Sequence, residues 1–296
     1  KKIDITTKQP TLDLILKRLK NDEVDLDTFF QRGQDLWGKT QQSRLIESIL
    51  IRLPLPAFYF DGSDDNKWLV VDGLQRLSTF KNFIIEKDPK KQLVLQNLEY
   101  LTQFNGFTFE ELPRELKRRI EEHEITVYII NEGTPIKVKF NLFRRINTGG
   151  LTLTAQEIRN ALNHGLPADF IAELSEINAF KKYGINPKRM LDKDFVTRFI
   201  AFYLFPIEKY KPDLDDFLNN SMIELNSTTK EEREKIKYDF TQAMIRADKL
   251  FGEHAFRKRY KLHDNKYRIN KALFEVWSVV LSKIDKEKID YLIKNK

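Results

Sequence analysis

The 296-residue sequence contains no cysteine. Disulfides and thiolate metal sites are therefore excluded, and nothing suggests secretion. Histidine is scarce. His123, His164, His254 and His263 are scattered along the chain, and no pair stands at the spacing of ligands on one helix. A zinc site or a histidine-based nuclease centre is accordingly not expected. No apolar run is long enough to cross a bilayer and no signal-peptide pattern is seen, so the expected location is cytoplasmic, with no membrane partner. Internal repeats and low-complexity linkers are also missing. The excess of one charge sign is small: 51 Lys and Arg against 44 Asp and Glu, a formal net charge of +7. That suits a partner carrying phosphate but does not single one out.

What the chain does have is material for a core. Hydrophobic residues make up 41% of it, and phenylalanine is abundant at 22 residues. Leu12, Ile15, Leu16 and Leu19 recur at helical spacing after Pro10. Leu45, Ile46, Ile49, Leu50 and Leu53 do the same over Thr40 to Leu53, where Pro54 and Pro56 stop the helix. Ala57 to Asp61 and Lys67 to Asp72 are apolar, aromatic and β-branched on either side of a turn cluster, and read as a hairpin. A helix follows at once from Leu74 to about Ile85. Residues 91–109 read as short strands and loops, Pro113 to Glu122 as a helix, and Glu124 to Asn131 as a strand. From Pro135 the pattern is helical. Thr154-Ala-Gln-Glu157 is a capping box, helices are expected over Asp192 to Phe205, Arg233 to Phe251 and Asn270 to Ile284, and Asn219 to Glu234 reads as a loop or helix start. The expected plan is α+β: a mixed α/β domain over 1–134, then an all-helical half over 135–296.

One segment carries chemistry. In Trp68-Leu-Val-Val-Asp-Gly-Leu-Gln-Arg-Leu77 a buried strand runs into Asp-Gly and a helix begins. The first amides of a helix lack partners within it and sit at the positive end of its dipole, so a phosphate can dock there. Gly73 allows close approach of the backbone. Arg76 offers a guanidinium for phosphate oxygens, Asp72 a carboxylate for a metal or a water, and Gln75 an amide that could position a nucleophilic water or bind a base edge. The same spacing also describes Asp72 as an ordinary helix cap, with Gly73 as a turn residue and solvated first-turn neighbours. Composition and spacing leave both readings open.

Asp61, Ser63, Asp65 and Asp72 mimic part of a calcium loop, but Asn66 stands where the loop needs glycine, and the flanks are strands. Asp65-Asn-Lys67 is better explained as turn chemistry than as a nuclease motif. Arg257-Lys-Arg-Tyr-Lys261, with Phe256, Tyr260 and Tyr267 interleaved, could touch a nucleic-acid backbone or be a solvated face.

Five ordered motifs resemble the N-terminal domain family of GmrSD-type restriction endonucleases: Gln31-Arg32 followed by Trp37; Gln42-Ser-Arg-Leu-Ile-Glu-Ser-Ile49; Pro54-Leu-Pro56; Asp72-Gly-Leu-Gln-Arg76; and Phe143-Arg-Arg-Ile-Asn-Thr-Gly-Gly150. Their order and spacing agree over most of the first 165 residues. The resemblance implies a ParB- or sulfiredoxin-like fold, with a small mixed sheet carrying helices, in which this strand–turn–helix binds nucleotide phosphates. It implies a prokaryotic anti-phage protein that binds a nucleotide, with hydrolysis by attack of water on a phosphoryl group. Asp72, Gln75 and Arg76 would be the catalytic set. Gln31, Arg32, Arg44, Gly73, Arg145 and Asn147 would bind phosphate, and Asp72 would hold Mg2+. Expected partners are an NTP, DNA, a separately encoded nuclease subunit and a second copy of the chain as a homodimer. The alternatives are a regulatory or DNA-sensing subunit that does not hydrolyse its ligand, and an endonuclease acting through the Asp72 turn. Leu74 departs from the family pattern, which has Gln there, and so separates binding from catalysis. No His-Asn-His nuclease segment is seen, so cleavage of DNA by this chain alone is not expected.

Overall fold

The computed structural model of the chain describes residues 4–26, 37–146, 153–261 and 265–295. It divides into two compact units, residues 1–153 and 154–296.

In the first unit the chain runs β1 (Ile5–Lys8), α1 (Leu12–Lys20), β2 (Val24–Asp25), α2 (Lys39–Leu50), β3 (Phe58–Gly62) and β4 (Trp68–Asp72). It continues through α3 (Leu74–Phe80), prolonged by a π-turn over Lys81–Ile85, then α4 (Arg114–Glu121), β5 (Val127–Asn131) and α5 (Ile136–Ile146). The sheet is mixed, with strand order β1-β5-β3-β4-β2. β3 and β4 form the expected antiparallel hairpin, and β5 lies parallel to β3. Phe58 and Phe60 of β3, Trp68 and Val70 of β4, and Val127 and Ile129 of β5 join one apolar cluster with Leu12, Ile15 and Leu16 of α1 and Ile46, Ile49 and Leu50 of α2. The helical face read from sequence at Leu45–Leu50 is the buried one. Its helix ends at Leu50, ahead of Pro54 and Pro56, because Arg52 takes a left-handed backbone at φ 65°.

Three details depart from the sequence reading. β1 was not foreseen: its Ile5-Thr-Thr-Lys8 is mostly exposed and has no apolar alternation, and it exists because it pairs along β5. Residues 91–109 contain no strand. Leu93, Leu95, Leu98 and Phe109 are buried, but the backbone is satisfied by turns, by bonds of Leu95 with Phe107 and Gly106, by the Ser43 and Asn105 side chains and by one carboxylate. Glu47 on α2 accepts from the amides of Glu99, Tyr100 and Leu101 at 3.0, 2.7 and 2.8 Å. The unit also extends beyond residue 134 to include α5, whose buried Lys139 Nζ lies 2.8 Å from Asp61 Oδ1 at the end of β3.

The second unit is all helix: α6 (Ala155–Leu162), α7 (Leu166–Ser175), α8 (Asn178–Lys181), α9 (Leu191–Leu204), α10 (Leu214–Leu225), α11 (Lys230–Phe251), α12 (Lys271–Lys283) and α13 (Lys286–Lys294), with a few 3-10 turns. The expected capping box starts α6, with Thr154 and Glu157 exchanging bonds of 2.7 and 3.2 Å. The stretch 219–234 is not one loop. α10 covers its first part, and a second capping box, Thr229 with Glu232, starts α11. Phenylalanines 180, 195, 199, 240, 256 and 274 pack together in the core. Arg159 is buried and donates to Gln156, Asp215 and Asp194 at 2.9, 2.8 and 3.2 Å. Among the described residues no helix is long and apolar enough to cross a membrane.

Glu47 makes an acid-sensitive joint. Burial alone would raise its carboxyl above the ordinary 4.5, but the three amides and the Arg44 guanidinium outweigh burial and hold it below that value. A carboxyl lowered in the folded state stabilises above its unfolded pKa and loses that contribution as pH falls through the folded one. Glu47→Gln trades an acceptor for a donor facing an amide. We expect it to cost about 1–3 kcal/mol near neutral pH in denaturant unfolding. The gap to wild type should narrow below about pH 4.5.

Candidate functional site

The turn joining β4 to α3 is built from below. Gly73 sits at φ 103°, in the left-handed region. A Cβ there would lie 2.4 Å from Phe58 Cδ1. Glycine is thus required twice over, by the backbone angle and by the aromatic ring beneath it. The same ring carries Arg76, whose guanidinium carbon stands 4.2 Å from the Phe58 centroid. Arg76 is 8% exposed. It donates to the backbone carbonyls of Pro56 and Ala57, the latter at 3.1 Å, and to Asp72 Oδ2 at 2.8 Å. One side chain thus ties the chain entering β3 to the carboxylate closing β4.

The electrostatics of the pair are governed by burial. Desolvation pushes the Asp72 carboxyl above its ordinary range, although Arg76 and the Gly73 amide pull it down. Desolvation also pulls the Arg76 guanidinium down, against the pull of Asp72. Each group loses more to burial than its partner returns, as buried ion pairs commonly do. Asp72 keeps more contact with solvent than Arg76, with side-chain exposures of 28% and 9%.

The other expected residues divide. Gln75 does lie on the first turn of α3, and its Oε1 accepts from the Trp37 amide at 3.2 Å. Gln42 Nε2 donates to the Trp37 carbonyl at 2.8 Å. Two glutamines therefore grip the residue that directly follows segment 27–36. Leu74 packs against the apolar cluster. Arg44 pairs with Glu99 at 2.9 Å on a half-exposed face. Arg145 is exposed in the last turn of α5. Gln31, Arg32 and Asn147 lie outside the described residues.

Arg76 is where sequence and structure diverge most. Spacing reads it as reaching outward to phosphate; both terminal nitrogens instead donate within the chain. Phe58, the Pro56 and Ala57 carbonyls and the Trp37 amide were not foreseen, since backbone groups and a ring far off in sequence leave no local signal. A purely positioning role for Arg76 predicts a large stability effect. Arg76→Ala should lower unfolding free energy by about 3–5 kcal/mol, because Asp72 and two carbonyls lose their donor. Arg76→Lys, with one nitrogen for three acceptors, should recover only part of it in thermal melts. An unchanged melting temperature for Arg76→Ala would mean the guanidinium is free for other work.

Among the described residues no three of His, Cys, Asp and Glu are grouped to hold a metal ion. A divalent ion at this turn would therefore rest on Asp72 with waters and ligand oxygens, a mode magnesium accepts when phosphates complete its shell.

Comparison with known proteins follows the same residues. The model of the GmrSD restriction endonuclease N-terminal domain matches residues 15–163, from α1 through every strand after β1 to α6. No curated protein and no solved structure matches the chain. With half of its length matched, this chain belongs to the family of GmrSD restriction endonuclease N-terminal domains.

Proposed function

We propose that the first unit binds a nucleoside triphosphate at the turn from β4 to α3. Family membership points to a restriction-type defence protein, and the nucleotide follows from what the family resemblance implies for this turn. The observation that carries it is the left-handed Gly73 against Phe58, with Arg76 packed on the same ring. The first amides of α3 have no partners within the helix, Gly73 puts no Cβ beside them, and such amides favour an anion. Arg145, in the last turn of α5, would supply a further cation for the phosphates; Gln31, Arg32 and Asn147 are proposed beside it on the family resemblance alone. Arg44 is left to Glu99.

Asp72 would hold magnesium jointly with the phosphates. The ion would favour the charged carboxylate and offset the upward push of burial. When bound, it would polarise a phosphoryl oxygen for attack by water. In this reading Gln75 would leave the Trp37 amide to orient that water, and Arg76 would fix Asp72 rather than touch the ligand. Occupancy of this turn then gates contact with DNA or with a separately encoded nuclease subunit.

A second reading is favoured by Leu74 and Gln75. Leu74 packs inward and Gln75 is engaged by Trp37, which suits a regulatory subunit that binds without hydrolysis. Calorimetry with each NTP and magnesium, beside a phosphate-release assay, separates the two. Saturable binding is expected, weakened about ten-fold or more in Asp72→Asn, since that substitution removes a charge-assisted magnesium contact. Phosphate release supports hydrolysis; binding without release supports the regulatory role. If no NTP binds the wild-type chain, the proposal fails.

A further inference from the structure

The second unit carries a cavity that the Asp72 turn does not use, formed where α11 ends and α12 begins. It has a volume of about 590 Å³, within the usual range for small-molecule sites. Its wall includes Phe251 and Trp277, half-buried and in edge contact at 4.9 Å between centroids. His254 also lines it, and the His254 Nδ1 is buried without a hydrogen-bond partner. Its rim is Lys258, Arg259 and Tyr260, all exposed. No acidic side chain is among the described lining residues; Glu253 Oε1 stands 3.9 Å from the His254 Nε2.

The rim is fixed in place. Phe256 is buried with φ 60°, an uncommon angle for a bulky residue. Its ring is held against Tyr183 and Phe274 at 5.1 and 4.8 Å. Arg257 pairs with Ile269 across an antiparallel bridge, and its side chain donates to the carbonyls of Glu253 and Tyr267. Tyr260 meets Tyr267 edge-on at 5.9 Å. The two flanks of the basic segment therefore lie side by side, with Lys258 and Arg259 at the mouth of an aromatic cavity. Lys258 makes no ion pair among the described residues.

An aromatic wall beside a cationic rim calls for one ligand chemistry: a flat heterocycle with an attached anion. We propose that this cavity binds a nucleotide unit. The base lies against Phe251 and Trp277, while the phosphate meets Lys258. Stacking of bases on aromatic side chains beside a basic track is how single strands are commonly held. The unit could be free or part of a strand, and the inference does not rest on the reading of the Asp72 turn.

The test uses the full chain with a fluorescein-labelled oligodeoxyadenylate, an abasic oligonucleotide of equal length and charge, and AMP as competitor, at fixed low salt. We expect the abasic strand to bind at least about ten-fold more weakly, since stacking contributes on that scale. Trp277→Leu and Lys258→Glu should each weaken the adenylate strand to a similar degree; Lys258 is exposed, so its replacement leaves the fold intact. Displacement by AMP assigns the cavity to free nucleotides, and binding without displacement assigns it to strands. Equal binding of the abasic strand, or wild-type affinity in the Lys258→Glu variant, overturns the proposal. So does nucleotide binding lost in Asp72→Ala but kept in Trp277→Leu.

Discussion

The candidate site depends on a buried guanidinium packed on the same ring as a glycine. Arg76 has a ring under it, two backbone carbonyls beside it and the Asp72 carboxylate at its end. Removing any of these leaves a charge in a place that water reaches poorly, and that penalty is what fixes the geometry. The hairpin, the turn and the first turn of α3 all follow from it. A residue with the composition of a ligand-binding group thus has its terminal nitrogens engaged within the chain, and of the pair it is Asp72 that keeps the larger exposure.

The same economy of charge recurs elsewhere. Glu47 gathers three amides of a stretch that has no regular structure. Lys139 neutralises Asp61 where β3 ends. Arg159 satisfies three partners in the helical unit while almost wholly buried. In each case a single long side chain substitutes for backbone pairing or closes a gap between elements, and each is over-determined by several acceptors or donors, as a buried charge must be.

Much of this fold was legible in the sequence, and the reason is periodicity. The faces of α1 and α2, the β3–β4 hairpin, β5 and the capping box of α6 all advertise themselves within a few residues of chain. β1 did not, because an exposed edge strand gains its pairing from β5 and carries no pattern of its own. Residues 91–109 misled because buried leucines in an irregular stretch look like strand material until the partner of their amides is known. The site was legible as a location: Asp72-Gly73 before a helix, in company with ordered motifs. The direction of Arg76 was not, since its acceptors are carbonyls some twenty residues earlier, and no side-chain letter records a carbonyl.

Phe58 under Gly73 has a further consequence. Side chains alternate along a strand, so sliding β3 by one residue would turn Phe58 away and present a different pair of carbonyls to Arg76. The turn at the far end of β4 therefore acts as a gauge of hairpin alignment: only one register closes it. Alignment checked at that end no longer has to be set by the connection at Asp64–Asn66, which is exposed. Relatives of this chain can then lengthen, shorten or recompose that loop while the turn stays in place, which leaves the hairpin tip open to drift among homologues.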